Sequence, residues 1–517
     1  MISTRIKPNL YKDSVALMRI AEKLLADPAI TRATLVMATP ANKDILKEAN
    51  LLADDADRAG PSDLIIVVEA ASAIAADAAY ALVDSSLVGG SQAGDGEQKD
   101  VVAKSINMAI AAGLPRLGDA HLAPNLAPNL AQISVPGAYA GAEALKAVKA
   151  GLNVFLFSDN VPIAEERAIK LLAQKKGLLV MGPDCGTAII GGVPLGFANV
   201  VRRGRIGVIG ASGTGLQEVT SQIHRMGEGV SHAIGTGGRD VKAEIGGITM
   251  LMALDLLAQD AATEVISIVS KPPAAEVMRE VIARAGRAGK PVVVVFLGGG
   301  ALAAADTPAN VHQTHNLFDC AAQCVALATG RKPLVGAGSG DLPSKQSANP
   351  EQKYLRGLFS GGTFCTEAQV ALQALGVQSF SNVPLDKALK LKNLNQSEQH
   401  TMLDLGDDDF TIGKPHPMID PSTRIARIAQ EAADPQTAAL LLDIVLGYAG
   451  HIDPAGALSQ AIMQAKAQRD LPVVAFVCGT EEDPQVRSQQ ETKLKAAGCI
   501  VATSSTQAAH IAARLVA

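Results

Sequence analysis

The sequence predicts several α/β domains, each with a doubly wound, mostly parallel sheet of the Rossmann-like or flavodoxin-like kind, and a small N-terminal α/β domain. Three observations predict this fold class. The chain has 517 residues, more than one hydrophobic core normally organises. Apolar residues make up 48% of it, with 48 glycines and no tryptophan. Short apolar runs alternate with helix-period segments, as in parallel sheets that helices cover on both faces.

The charge balance and the hydropathy pattern exclude several classes of function. The net charge is −5, and no basic block or aromatic–basic pattern occurs, so we expect no nucleic-acid partner. We find neither an apolar leader at the N-terminus nor a run of about 18 apolar residues, so we expect no export and no membrane span. The six cysteines are scattered, and Cys320 and Cys324 lie on a helical pattern typical of core, which predicts a reduced, cytoplasmic protein without a zinc site.

Residues 1–88 are predicted to form the small N-terminal domain, with a ferredoxin-like alternation of strands and helices. The apolar strands "ITRATLVMA" and "DLIIVVEA" follow helical patterns at "DSVALMRIAEKLLAD" and near "NKDILKEANLL". The polar, glycine-rich stretch Gly89–Asp100 is predicted to be a linker.

Residues 101–200 are predicted to form a second alternating domain. Its helix "PIAEERAIKLLAQKKG" starts with proline and ends with glycine, which are ordinary signals of helix boundaries. The next strand runs into "GPDCGTAI", a turn-rich loop with Asp184 and Cys185 at its tip. Because ligands of open parallel sheets bind at the carboxyl ends of the strands, we expect these two residues to contact the substrate.

Residues 201–335 and 353–517 match each other in order and character. The motif "GASGTGLQEV" corresponds to "FSGGTFCTEAQ", and "KPVVVVFLGGG" corresponds to "LPVVAFVCGTE". The offset grows from 149 positions between Ser212 and Gly361 to 181 between Pro291 and Pro472, which requires only loop insertions. We interpret the match as an internal duplication of one doubly wound unit, joined by the linker-like segment 336–352.

The loop "GASGTG" after the strand Ile206–Ile209 is a candidate anion site. Its G-x-x-G-x-G spacing, and the absence of an acidic residue at the end of the next strand, disfavour a nicotinamide dinucleotide. Free backbone N–H groups and two helix dipoles aimed at one point would suit a phosphate. The predicted phosphate ligands are Ser212, Gly213 and Thr214, with Gly361, Gly362 and Thr363 from the duplicate loop. The alternative is a tight strand-to-helix turn with Ser212 or Thr214 as the helix N-cap.

Charged residues near these loops are further candidates. In "IGTGGRD", Gly237 and Gly238 offer backbone donors, and Arg239 offers a guanidinium for a carboxylate or phosphate. A local ion pair between Arg239 and Asp240 is the alternative. Lys271 follows a predicted strand, at the sheet edge where ligands bind.

The stretch "DLGDDDFTIGKPHPMIDP" is the densest polar cluster of the chain. It offers carboxylates, a cation and an imidazole that titrates near neutral pH. Catalytic roles are predicted for Asp408, Lys414 and His416, together with Arg239. Asp407 and Asp409 are candidate Mg²⁺ ligands, since Mg²⁺ prefers oxygen donors. A solvated acidic turn is the alternative.

At these motifs the chain resembles the succinyl-CoA synthetase superfamily. Residues 101–200 resemble its CoA-binding domain, residues 201–335 the ligase domain of its α subunit, and residues 353–517 the ligase domain of its β subunit. The resemblance implies that the two loop–helix turns hold a phosphate. Two departures stand against ATP-driven acyl-CoA synthesis by this chain alone: "GALAAADTPAN" has no histidine where the superfamily is phosphorylated, and the sequence has no ATP-grasp domain or P-loop.

Over essentially its whole length, including "LDLGDDDFTIGKPHPMIDP", the chain is similar to the FdrA family. That resemblance implies a subunit of an oxamate-type carbamoyltransferase of allantoin and purine catabolism, which converts oxalurate and phosphate to oxamate and carbamoyl phosphate. It implies a small ureido acid as substrate, no required CoA or nucleotide, and a hetero-oligomer with other carbamoyltransferase subunits or a homodimer. CoA binding stays open. The alternatives are an NDP-forming acyl-CoA synthetase-like subunit with a separate nucleotide-binding partner, and a non-catalytic subunit that binds phosphate or CoA.

Overall fold

The computed structural model of the chain describes residues 1–88, 128–334, 351–411 and 414–516, apart from short gaps between residues 9 and 62. The predicted linker 89–100 lies outside the described residues, as do residues 336–350 of the second linker and part of "NKDILKEANLL". The chain forms two compact units: Met1–Val102 with Ile412–Pro415, and Ala103–Thr411 with His416–Ala517.

The first unit contains a three-stranded antiparallel sheet with strand order β1-β3-β2. Its elements are β1 (Ile2–Lys7), α1 (Ser14–Leu25), β2 (Ile30–Met37), a 3₁₀ turn (Ala56–Arg58), β3 (Leu64–Ala70) and α2 (Ala73–Val88). Strand β3 is continuously apolar because both of its faces are covered: Leu64 and Ile66 pack in one cluster and Ile65 in another. The strand order β1-β3-β2, with a helix after β1 and another after β3, agrees with the ferredoxin-like expectation, although residues 42–43 and 46–47 between β2 and β3 are also helical.

The first sheet of the second unit is small and parallel, with strand order β4-β5-β6. Its elements are β4 (Leu130–Ile133), α3 (Gly137–Lys149), β5 (Asn153–Leu156), α4 (Ile163–Lys175) and β6 (Val180–Met181). Helix α4 carries Glu165 and Glu166 in its first turn, where the helix dipole favours negative charge. Because the strands are parallel, the loops that follow them lie at one edge of the sheet.

The second sheet has seven strands in the order β13-β12-β11-β9-β10-β7-β8. Its elements are β7 (Thr187–Ile190), β8 (Val193–Gly196), β9 (Arg203–Gly210), α5 (Gly213–Arg225), β10 (Val230–Gly235), α6 (Ile248–Gln259), β11 (Val265–Ser270), α7 (Ala275–Gly286), β12 (Val292–Phe296), a 3₁₀ turn (Ala304–Asp306), β13 (Val311–Thr314) and α8 (Leu317–Thr329). Strands β9 to β13 are parallel, whereas β7 and β8 form an antiparallel hairpin beside β10. Residues 187–196, which the sequence analysis assigns to the domain 101–200, thus extend this sheet.

The third sheet has six parallel strands in the order β15-β16-β14-β17-β18-β19. Its elements are β14 (Tyr354–Phe359), α9 (Gly362–Ala374), β15 (Phe380–Ser381), a 3₁₀ turn (Lys387–Leu389), β16 (Thr401–Asp404), α10 (Asp408–Thr411), α11 (Ser422–Ala433), β17 (Thr437–Val445), α12 (Pro454–Gln468), β18 (Val473–Cys478), α13 (Arg487–Ala496), β19 (Ile500–Ala502) and α14 (Ser505–Arg514). Strand β17 is buried along its whole length, including its one carboxylate, Asp443.

The second and third sheets share one topology. Counted from the strand before each glycine-rich loop, the strands β9 to β13 follow the order 2-1-3-4-5, and so do β14 and β16 to β19, with β15 as an added edge strand. This is the flavodoxin-like, doubly wound order, and it confirms the predicted duplication. Ligands of such sheets bind where the strand order reverses, which here is at the carboxyl ends of β9 and β14.

The two doubly wound halves pack through one shared helical core. Helices α5 and α8 of the 201–335 half lie against α9 and α14 of the 353–517 half. Leu216, Cys320 and Cys324 from the first half and Phe364 and Ala508 from the second belong to the same buried cluster. Among the described helices, none has the length and apolar character needed to cross a membrane.

Two glutamates at equivalent positions each form a hydrogen bond to the other half. Glu218 lies in α5 and Glu367 lies 149 positions later, at the matching place in α9. Oε1 of Glu218 accepts a hydrogen bond from the backbone N–H of Ser505 at the start of α14 (3.2 Å). Oε1 of Glu367 accepts one from the backbone N–H of Leu317 at the start of α8 (3.0 Å). Each half therefore caps a helix of the other half, and burial raises the pKa of Glu367 to about 7.

Candidate functional site

The N-termini of α5 and α9 meet. Ser212 is the N-cap of α5, and its Oγ accepts a hydrogen bond from the backbone N–H of Gly215 (3.1 Å). Gly361 occupies the same place before α9, and the hydroxyls of Ser212 and Thr363 hydrogen-bond to each other. A Cβ added at Gly361 would lie 2.6 Å from Thr214 Cγ2, so the two turns are in direct contact. We name the six residues that form this junction the cradle: Ser212, Gly213, Thr214, Gly361, Gly362 and Thr363.

The cradle presents free backbone donors. Helix N-termini have N–H groups without an intrahelical acceptor, and here those of Gly213, Thr214, Gly362 and Thr363 have no acceptor among the described residues. Thr214 and Thr363 are buried, so their N–H groups are also shielded from bulk water. Buried donors are normally paired, and two helix dipoles direct their positive ends to this point. The arrangement is suited to an anion with several acceptor oxygens.

Asp443 in β17 holds the second loop of the cradle in place. Its carboxylate accepts hydrogen bonds from the backbone N–H groups of Ser360 (2.9 Å) and Gly361 (3.0 Å) and from the Ser360 hydroxyl (2.9 Å). Arg424 forms an ion pair with Asp443 (2.8 Å), and both side chains are almost fully buried. The N–H groups just before α9 are therefore fixed by a charged acceptor, which leaves those of the first turn of α9 for a ligand.

Asp404, the last residue of β16, borders the cradle. It is 8% exposed, and a Cβ added at Gly362 would overlap its Oδ2. Burial raises the pKa of Asp404 to about 7, although the nearby charge of Lys271 lowers it. Lys271 is exposed and directly follows β11. A titratable carboxylate and a cation thus flank the cradle, at the sheet edge predicted for Lys271.

Arg239 lies in a buried charge network behind the loops. Its guanidinium pairs with Glu166 (3.0 Å) and donates to the carbonyl of Val161 (2.7 Å). The alternative of a local pair between Arg239 and Asp240 is wrong, because Asp240 pairs with Lys170 (2.8 Å). Lys170 also pairs with Glu166 (3.0 Å), so the network joins α4 to the loop after β10.

Gly237 and Gly238 have different environments. Gly237 has a φ of 79°, and a Cβ there would overlap the carbonyl oxygen of Pro183, so this position requires glycine to admit the neighbouring loop. Gly238 is exposed. Of these two glycines, only Gly238 is therefore accessible to a ligand.

Asp184 and Cys185 are adjacent in the loop after β6, but only Asp184 is exposed. Asp184 keeps solvent-accessible surface, but desolvation by the surrounding atoms and the charges of Asp159 and Asp408 raise its pKa to about 6. The predicted position of Cys185 at the loop tip is wrong. Its thiol is buried and contacts the carbonyl oxygen of Thr187 (3.5 Å), and burial raises its pKa to about 12. The thiol is thus protonated and not accessible to a substrate.

The acidic run 407–409 is a capped turn. Oδ1 of Asp407 accepts a hydrogen bond from the backbone N–H of Asp409 (3.1 Å), and Asp408 and Asp409 are exposed in the first turn of α10. Burial and neighbouring carboxylates raise the pKa of Asp408. Among the described residues, no three His, Cys, Asp or Glu side chains are arranged to hold a metal ion. Mg²⁺ usually needs only one or two protein carboxylates beside waters and substrate phosphates, so Asp407 and Asp409 stay predicted ligands.

His416 lies behind the second cradle loop. Its Nδ1 accepts a hydrogen bond from the backbone N–H of Met418 (3.2 Å), and its ring stacks obliquely on Phe197. Burial, with the charge of Arg424, lowers its pKa to about 4, so the expectation of an imidazole that titrates near neutral pH is wrong. Lys414 is exposed and belongs to the segment grouped with the first unit. Of the predicted catalytic set, Arg239 and Asp408 lie within electrostatic range of each other, whereas the ring of His416 lies against Phe197.

We expect His416 to make the second unit sensitive to acid. The folded pKa of about 4 lies below the unfolded value of about 6.5, so the unfolded chain takes up a proton that the folded chain does not. Stability from this group is present above about pH 6.5 and is lost as the pH falls toward 4. His416→Asn, whose Oδ1 can replace Nδ1 as acceptor, should show a smaller drop in the urea midpoint between pH 7.5 and 5 than the wild type. His315→Asn, at an exposed position, is the control; an unchanged drop in His416→Asn would contradict the assignment.

Sequence reasoning missed two residues of the site. Asp404 is the final residue of a strand, at the carboxyl end where ligands bind, and this position was an available signal. Asp443 interrupts the apolar run "TAALLLDIVLGY", and a carboxylate inside a buried strand is informative because it must be paired. A surface groove of about 450 Å³ between α6 and α7, lined by residues such as Asp255 and Arg284, contains none of the predicted site residues.

Three protein-family models match the chain. A CoA-ligase model matches residues 358–515, and a CoA binding domain model matches residues 201–299. The second match falls on the residues for which the sequence predicts an α-type ligase domain, and the domain boundaries remain a prediction. A model described as "AllF, heavy metal-associated domain" matches residues 1–104, a stretch without cysteine or histidine.

Similar proteins fall into two groups. The uncharacterized protein YahF of Escherichia coli (strain K12) is 42% identical over 521 residues, which cover 98% of this chain and 97% of YahF. The ADP-forming sulfoacetate-CoA ligase subunit SauD of Bilophila wadsworthia is 28% identical over 33% of this chain and 59% of that subunit. The α subunit of ADP-forming succinate–CoA ligase of Aquifex aeolicus is 28% identical over 28% of this chain and 48% of that subunit. The chain thus spans only about half of these ligase subunits.

Among solved structures, the chain is similar to the dinucleotide forming acetyl-coenzyme A synthetase 1 of Ca. Korarchaeum cryptofilum in complex with phosphate and ADP. The sequence identity is 16% and the TM-score 0.33, with 75% of this chain and 82% of that chain covered, and no functional inference rests on it. The full-length match at 42% identity and the two CoA-ligase-type family models are decisive. The chain belongs to the family of YahF, within the succinyl-CoA synthetase-like superfamily.

Proposed function

We propose that the chain is the acyl-transfer subunit of an enzyme of the NDP-forming acyl-CoA synthetase type, and that the cradle binds the inorganic phosphate that accepts the acyl group. The observation that carries the proposal is the convergence of four free backbone N–H groups and two hydroxyls at the junction of α5 and α9. The match of residues 358–515 to a CoA-ligase model and of residues 201–299 to a CoA binding domain model supports it.

In the proposed reaction, an oxygen of the bound phosphate attacks the carbonyl carbon of an acyl-CoA. The carbon–oxygen bond forms, the carbon–sulfur bond breaks, and CoA leaves as a thiolate that takes a proton from water. The cradle lowers the barrier by fixing the phosphate before attack, which removes the entropy cost of bringing the reactants together. Lys271 supplies positive charge beside the negatively charged reactants.

The nucleotide step is assigned to a separate partner subunit. Residues 297–310 contain no histidine, so in the proposed scheme the phosphoryl group stays on the acyl group and passes to the partner as an acyl phosphate. The partner would bind the nucleotide and receive the phosphoryl group. This hetero-oligomer is part of the proposal.

A second candidate is carbamoyl transfer from a ureido acid such as oxalurate to phosphate. The absence of histidine from residues 297–310 favours it, because that reaction needs a phosphate site but no phosphorylated protein residue. The narrower resemblance to the FdrA family leads to the same candidate. The chain co-purified with the products of its neighbouring genes decides between the two: phosphate-dependent thiol release from acyl-CoA supports the first, and phosphate-dependent loss of oxalurate supports the second.

The cradle itself is tested by phosphate binding. Ser212→Ala combined with Thr363→Val removes both cradle hydroxyls, one of which can donate to a ligand while the other donates to its neighbour. We expect phosphate affinity by calorimetry to fall by about tenfold or more, since a hydrogen bond to a charged group contributes about 1.5–3 kcal/mol. Ser488→Ala combined with Thr492→Val makes the same changes on the exposed face of α13 and should bind phosphate as the wild type does. Equal affinity in the cradle variant, with folding checked by circular dichroism, would reduce the junction to a structural contact.

A further inference from the structure

We propose that Asp404 makes the cradle selective for oxyanions that carry a proton, so that it binds hydrogen phosphate and rejects sulfate. The proposal rests on the proposed function, because it concerns the same phosphate site. It assigns a specificity-determining role to a carboxylate that the sequence analysis leaves unassigned.

The backbone of Asp404 is fixed from both sides. Its N–H donates to Oδ1 of Asn382 (3.0 Å), and its carbonyl oxygen accepts from Nδ2 of the same residue (3.0 Å). Oδ1 of Asp404 accepts a hydrogen bond from the backbone N–H of Gly406 (3.1 Å). This leaves the carboxylate little freedom to turn away from the cradle.

Oδ2 of Asp404 is directed to the cradle. It lies so close to Gly362, the first residue of α9, that a methyl group on Gly362 would overlap it. Among the described residues, none donates a hydrogen bond to Oδ2. The residue is 8% exposed, so this carboxylate oxygen faces the cradle with little contact to bulk water and can accept a hydrogen bond from a ligand bound there.

A carboxylate is an acceptor only, and this determines which anion fits. The N–H groups of Gly362 and Thr363 need acceptor oxygens, whereas Oδ2 of Asp404 needs a donor. Hydrogen phosphate offers both, since its P–OH can donate to Oδ2 while its other oxygens accept from the helix N-termini. Sulfate has no proton at neutral pH, so one of its oxygens would face Oδ2 with lone pairs and negative charge opposed.

The charged groups around Asp404 set the conditions for the test. Burial raises the pKa of Asp404, the charge of Lys271 lowers it, and the charges of Asp407 and Asp443 raise it further. The resulting pKa is about 7. The Cys365 thiol on α9 faces the same region, and burial keeps it protonated. At pH 8.5, Asp404 is therefore a carboxylate, and inorganic phosphate is present as the singly protonated dianion.

Calorimetric titration of the full chain with potassium phosphate and with sodium sulfate at pH 8.5 tests the proposal. We expect the wild type to bind phosphate at least about tenfold more tightly than sulfate, the ratio of one hydrogen bond to a charged group. In Asp404→Asn the amide can donate to either anion, and we expect the ratio to fall below about twofold. Asp386→Asn, which neutralises an exposed carboxylate of the same domain, should keep the wild-type ratio.

Monofluorophosphate provides a test that needs no variant. It is a dianion with the shape of phosphate but without P–OH, and we expect the wild type to bind it as weakly as sulfate. Tight binding of monofluorophosphate or sulfate by the wild type, or an unchanged ratio in Asp404→Asn, would overturn the role of Asp404 while leaving the phosphate site intact. A wild type that binds none of the three anions would instead overturn the proposed function.

Discussion

Replacing Lys170 with methionine is expected to destabilise the second unit by about 3–5 kcal/mol, the usual cost of breaking a buried ion network from one side. Lys170 contacts Glu166 at 3.0 Å and Asp240 at 2.8 Å, and it donates to the carbonyl of Thr236 at 3.1 Å. The Lys170 side chain is 1% exposed and the two carboxylates are fully buried. Methionine has a similar shape but no charge, so both carboxylates would lose a buried counter-charge.

Urea denaturation followed by circular dichroism measures this effect. Lys175→Met removes an exposed lysine from the same helix and should leave the midpoint within the range of surface substitutions, about 0.5 kcal/mol. Similar midpoints for the two variants would show that the network does not contribute to stability. The same comparison tests what holds Arg239 in place, because Lys170 pairs with Glu166 and Glu166 pairs with Arg239.

Replacing Asp443 with asparagine is expected to lower stability by a similar amount, about 3–5 kcal/mol, and to abolish phosphate binding. The neutral amide would leave Arg424 buried without a counter-charge. It would also be a weaker acceptor for the N–H groups of Ser360 and Gly361. The loop before α9 would then lose the anchor that fixes the second half of the cradle.

Two measurements separate these consequences of Asp443→Asn. The urea midpoint reports the loss of the buried pair, and calorimetry with phosphate under native conditions reports the cradle. Asp470→Asn, at an exposed position of the same domain, is the matched control for both. A variant that binds phosphate like the wild type would contradict the anchoring role even if its stability fell.

Local sequence patterns were sufficient to predict the match between the two halves and the two glycine-rich helix N-termini. Glycine-rich loops between an apolar strand and a helix have a defined geometry, so Ser212 and Gly361 could be placed at helix N-termini from the sequence. Their equivalence at an offset of 149 positions follows from the motif itself. These predictions depend on neighbours in the chain, which a single sequence contains.

The environments of individual side chains could not be predicted in the same way. Asp240 pairs with Lys170, which lies 70 positions away, and no local pattern distinguishes this partner from the adjacent Arg239. The burial of Cys185 and the low pKa of His416 depend on elements that pack over them from elsewhere in the chain. No functional role could be predicted for Asp404, because its position beside Gly362 depends on the register of β16 against β14.

Glu218 and Glu367 each cap a helix of the other half, and this reciprocity indicates how a chain with two such halves could have arisen. In a symmetric dimer, a residue of one subunit contacts a site on its partner, and the partner returns the same contact. The two halves of this chain show that reciprocity within one polypeptide, through equivalent residues and equivalent helices. They are arranged as the subunits of a twofold dimer would be, so gene fusion would have added only a covalent link and a fixed one-to-one ratio. Once fused, each half was free to change without altering the other, and the position that Asp404 occupies opposite Phe359 of β14 is occupied in the first half by Gly235, opposite Gly210 of β9.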